Sequence, residues 1–125
     1  MRDLLLVVSV VAAVGGASAA ASRVPSSGVR AALVALEAKE KRLPSAAAGC
    51  ARYSVRVSSV DPKFASVTAT FPTVGRCARW ASNGYLIASS VGGWHVAYVG
   101  SGRPECWLLI PRRVLVDLTG WRCQR

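Results

Sequence analysis

Two hydrophobic periods organise the chain beyond its first twenty-odd residues. Val29, Ala32, Leu33 and Leu36, with Leu43 further on, recur at the three- and four-residue spacing of one helix face. They predict a helix over residues 28–42, with Ser27 as its N-cap and Pro44 as its stop. The run EAKEKR near its end sets Glu37 four residues before Lys41 and reads as a solvated face. From Tyr53 the period falls to two. Tyr53, Val55 and Val57 point one way; Arg52, Ser54, Arg56 and Ser58 point the other. The turn residues Asp61-Pro62-Lys63 precede a second alternating run, Phe64 to Phe71. A three-residue loop there pairs Val57 with Val67, Val55 with Ala69 and Tyr53 with Phe71, and keeps Ser54, Arg56 and Ser58 opposite hydroxyl side chains.

A second hairpin is expected around Gly92-Gly93 as a two-residue turn. It pairs Val91 with Trp94, Ser90 with His95 and Ile87 with Tyr98, and puts Ile87, Val91, Trp94, Val96 and Tyr98 on one face. Strands are therefore predicted at 53–60, 64–71, 85–91 and 94–99. Pro111 opens a short helix at 112–119, with Val114, Leu115 and Leu118 inward, and Gly120 closes it. The expected fold class is α+β: an N-terminal helix packed on a four-stranded antiparallel sheet of two hairpins, then a short C-terminal helix. Its expected core is Leu33, Leu36, Val55, Val57, Val67, Phe71, Ile87, Trp94, Val96 and Leu115.

The opening residues obey neither period. Leu4 to Val14 is apolar apart from Ser9, follows Arg2, and leads into small residues at Ala17 and Ala19. That is the layout of a secretory signal, expected to span residues 1–21, with a single exported domain over residues 22–125. The apolar run is marginal for spanning ~30 Å of hydrocarbon, so export with cleavage is expected over an uncleaved membrane anchor, and no later stretch is long and apolar enough to span. The stretch AAGC at 47–50 lies too far from that run to be a lipid-attachment signal.

Export changes the meaning of Cys50, Cys77, Cys106 and Cys123. Four cysteines in a small exported chain form two disulfides. The first hairpin returns the chain so that Cys77 can lie beside Cys50. Cys106 and Cys123 flank the terminal helix, and Gly120 lets the chain double back between them. The expected pairing is thus Cys50–Cys77 and Cys106–Cys123. Zinc is not expected, since no Cys-x-x-Cys pair or close Cys–His spacing is present.

The net charge is +10, and thirteen of the sixteen basic residues are Arg. Such a surface attracts anionic polymers, lipid headgroups or nucleic acid. Arg52, Arg56, Arg76 and Arg79, with Trp80 nearby, form a candidate nucleic-acid face, ranked last because exported proteins meet little nucleic acid. His95 is the single histidine and so the one candidate general base. It has Ser90 across the expected ladder and no neighbouring acid, and it reads as a rung of the strand. The rival reading is a small hydrolase using His95 with Glu105 or Asp117. No phosphate-binding glycine loop is present, and no cofactor is expected.

Taken together, VSSVDPKFASV, NGYLIASSVGGWHVAYVGS and the Cys, Pro-led helix, Cys ending resemble a set of small exported actinobacterial proteins of unassigned function. The likeness runs from about Tyr53 to Cys123 and implies export and these element boundaries, without an activity. The order of elements also resembles that of cystatins, although their Gln-x-Val-x-Gly loop is absent here. The expectation that follows is a basic, non-enzymatic exported domain that binds an anionic cell-envelope polymer or a protein partner.

Overall fold

The computed structural model describes residues 23–47, 49–81, 84–106 and 108–125. The expected signal, 1–21, lies outside the described residues. Helix α1 (Ser27–Glu40) is followed by strands β1 (Arg52–Val57), β2 (Phe64–Thr70), β3 (Tyr85–Ser89) and β4 (His95–Gly100), and then by helix α2 (Arg112–Thr119). The strands form one antiparallel sheet in chain order. This is the α+β arrangement expected from the two periods. No helix among the described residues is long and apolar enough to cross a membrane.

The two helices pack on opposite faces of the sheet. Leu33 of α1 is fully buried against Val55, Ala65, Val67, Leu86 and Ala88. On the other face Val114, Leu115 and Leu118 of α2 enclose Ile87 together with Ile110. A third small cluster joins Cys50, Ala69 and Phe71 at one end. Of the expected core residues, Leu36, Val57, Trp94 and Val96 are only partly buried at the margin of the first cluster. Ala32 is exposed.

Several local expectations need correction. Ser26, not Ser27, caps α1: its Oγ accepts the Val29 N–H at 3.3 Å. Glu37 is not on a solvated face; it is 1 % exposed, with Lys41 Nζ 3.1 Å from its Oε1 at angles outside hydrogen-bonding geometry. The ion pair is the partial compensation a buried carboxylate requires.

The first hairpin is also slipped by two residues from the expected register: Val57 faces Ala65 and Val55 faces Val67. Ser58 Oγ accepts the N–H groups of Val60 and Asp61, both at 3.1 Å, and the Ser59 N–H donates to Asp117 Oδ2 at 2.9 Å. These bonds take residues 58–60 out of the ladder, and Ser58 N–H to Phe64 C=O at 2.9 Å closes it. A shift of two residues keeps every side chain on its own face.

The second hairpin differs in a way that does change faces. Its turn is closed by Gly93 N–H to Ser90 C=O at 3.0 Å, so Val91 and Gly92 are central, with Gly92 at φ +75°. Ser89 faces His95 and Ala88 faces Val96, while Ile87 faces Tyr98; a bulge between these pairs absorbs Ala97. One extra residue reverses the alternation. Trp94 and Val96 therefore pack with the α1 cluster, whereas Ile87 and Tyr98 belong to the α2 cluster.

Candidate functional site: an arginine basin on the terminal disulfide

The terminal helix is strongly two-sided. Val114, Leu115 and Leu118 are buried, which leaves Arg112, Arg113 and Val116 facing outward. Gly120, at φ +77°, ends α2 in the left-handed conformation and donates to Val116 C=O at 2.8 Å. The chain then runs back along residues 104–106. Cys106 N–H donates to Gln124 C=O at 2.9 Å and Gln124 N–H to Pro104 C=O at 2.8 Å. The Cys106–Cys123 disulfide fixes this return, with Cα atoms 4.9 Å apart. Cys50 and Cys77 form the other bridge at 5.6 Å. Both bridges have the pairing expected from the sequence.

The return brings Arg122 and Arg125 beside Arg112 and Arg113. The four line an open basin of about 750 Å³ together with the disulfide, Val60 and Val116. All four arginines are exposed, and none makes an ion pair or side-chain hydrogen bond among the described residues. The one carboxylate side chain lining the basin, Asp117, is occupied elsewhere: Oδ2 accepts the Ser59 N–H at 2.9 Å and Oδ1 accepts Ser59 Oγ at 3.4 Å. Four guanidinium groups against one engaged carboxylate side chain make a site for oxyanions. Each guanidinium offers a planar fork of N–H donors matched to carboxylate or phosphate oxygens.

The other candidates are dispersed. His95 lies exposed at the start of β4, with Nδ1 2.9 Å from Gly93 O and Ser89, not Ser90, as its register partner. No hydrogen bond or ion pair joins it to Glu105 or Asp117; Asp117 holds Ser59, and Glu105 sits in a backbone bridge to Gln124. Arg56 reaches across to α2, donating from Nη2 to Leu118 C=O at 2.8 Å. Arg76 and Arg79 lie in the short turn Arg76–Trp80, where the Arg79 guanidinium stands 5.2 Å from the Trp80 ring centre. The expected nucleic-acid set is thus split between a sheet face and a separate turn. Among the described residues no group of three or more His, Cys, Asp or Glu could hold a metal ion.

The sequence reading missed the basin because Arg112 and Arg122 look unrelated along the chain. The signal was nonetheless available: once Cys106 is joined to Cys123, residues 112–113 and 122–125 must share one end of the molecule. Comparison with protein-family models, with curated proteins and with solved structures finds no match to this chain.

Proposed function

We propose that the chain is an exported, disulfide-stapled, non-enzymatic domain that binds an anionic polymer of the cell envelope through Arg112, Arg113, Arg122 and Arg125. The observation that carries this reading is the convergence of four exposed guanidinium groups, without an ion pair among the described residues, around the Cys106–Cys123 disulfide. Export rests on the N-terminal apolar run and its small-residue end, and two disulfides in so small a chain accord with it. A polymer is favoured over a single small anion because the basin is open and its charges are spread along both α2 and the returning tail.

Retention of the purified protein on isolated cell walls tests the reading. Retention should fall as salt rises, since exposed charges are screened. Replacing the four arginines by Gln should weaken it about thirtyfold, if each exposed contact contributes about 0.5 kcal/mol. Equal retention by that variant, shown to melt like the parent protein, would overturn it.

A further inference from the structure

On the α2 side of the sheet, β1 and β2 present two polar rungs: Ser54 opposite Thr68, and Arg56 opposite Ser66. Helix α2 packs around Ile87, with Phe64 at the margin, and its C-terminal residues Leu118 and Thr119 border these rungs. What remains is a cleft of about 310 Å³, floored by the four polar side chains and walled by Tyr85, Thr119 and Trp121. It is separate from the arginine basin, and the two share no lining residue.

The cleft is built and unspent. Tyr85 Oη donates to Gly102 C=O at 2.9 Å, which anchors its ring, and the backbone N–H of Trp121 donates to Thr119 Oγ1 at 3.1 Å, which fixes the chain that carries the indole. The Trp121 side chain itself is 45 % exposed. Arg56 uses one donor on Leu118 C=O, which holds the guanidinium in place and leaves others available. The hydroxyls of Ser54, Ser66 and Thr68 make no side-chain hydrogen bond among the described residues, although Ser66 is 7 % exposed. Their oxygens open onto the cleft, where they can exchange water for the hydroxyls of a ligand.

We infer that this cleft binds a saccharide ring. A sugar has hydroxyls around its edge, which match three side-chain hydroxyls that each donate and accept. It also has apolar C–H faces, which match aromatic walls. The volume is at the small end of small-molecule sites and suits one ring. Arg56 is the one charged side chain lining the cleft and favours a ring that bears a carboxylate.

Titration of the oxidised full chain with methyl β-D-glucuronide and with methyl β-D-glucoside, followed by nitrogen-15 NMR, tests this. Both should give saturable shifts at residues 54, 56, 66 and 68 and at the Trp121 indole, with the glucuronide binding more tightly. The exposed-strand change Ser54→Ala should weaken both about tenfold through one lost hydrogen bond. Arg56→Gln should remove the preference for the glucuronide. Signals that stay in place with both glycosides, or that move only around Arg112 and Arg122, overturn the assignment. The four-Gln basin variant should titrate like the parent, so failure of the envelope reading and failure of this one are distinguishable.

Discussion

The two faces of the sheet are made by the same alternating strands, yet they end differently. Under α1, apolar side chains from all four strands meet Leu33, and the polar group drawn in, Glu37, arrives with Lys41. Under α2, Ile87 and its neighbours are sealed, while Ser54, Arg56, Ser66 and Thr68 stay beside open space. A helix about 10 Å wide covers roughly two strands spaced about 4.8 Å apart. On the α1 side, Trp94 and Val96 complete the cover because the bulge turns them that way. Nothing comparable completes the α2 side. The α1 face is used up by folding, and the α2 face is left with chemistry to offer.

The sharpest way to break this contrast is a pair of truncations. Leu33→Ala should cost about 3–5 kcal/mol in thermal or denaturant unfolding, as for a fully buried leucine, whereas Ser66→Ala should fall within about 0.5 kcal/mol. Similar costs for the two would erase the distinction. Next in size, replacing Cys106 and Cys123 together by Ser should cost about 3 kcal/mol, given their separation of 17 residues. It should also lower retention on cell walls, because Arg122 and Arg125 lose their tether. Lys41→Met should cost about 2 kcal/mol by leaving the buried Glu37 carboxylate uncompensated, and Glu37→Leu should restore most of that in the double variant.

The smallest effect is one of pH. On the α2 side, burial and then the neighbouring Tyr98 push the Tyr85 phenol up to about 12. On the α1 side, burial and then Glu37 raise Tyr53 as well. The folded state keeps protons that the unfolded chain releases near pH 10, so this stability is complete below pH 10 and is lost as pH rises toward 12. The melting temperature should therefore fall less steeply over that interval in Tyr85→Phe than in the parent protein. An unchanged slope would show that Tyr85 titrates normally.

Face assignment in the first hairpin was legible because alternation alone decides it. Register was not, because it depends on the Ser58 hydroxyl and on Asp117, which is 58 residues from Ser59 in the chain. The Ala97 bulge escaped for a similar reason: Gly92-Gly93 looks like a two-residue turn until Ser90 C=O takes the Gly93 N–H. Glu37 and Lys41 form the helix pair that their spacing predicts, but whether that pair is wet or buried depends on what lies beneath the helix. The cysteine pairing could be read because chain reversals place both partners. The basin could then be read only by carrying that pairing forward to the arginines beside it.

The order in which the elements meet has a kinetic meaning. Each strand hydrogen-bonds to the next one in the chain, so the sheet can zip up pair by pair, with the 71–84 connection between β2 and β3 as the longest loop to close. The cysteines follow the same rule, first with second and third with fourth. In a chain that becomes available N-terminus first, Cys77 is the first partner to reach Cys50, and Cys123 the first to find Cys106 with the earlier pair already closed. An unselective oxidant acting in order of emergence makes both native bonds.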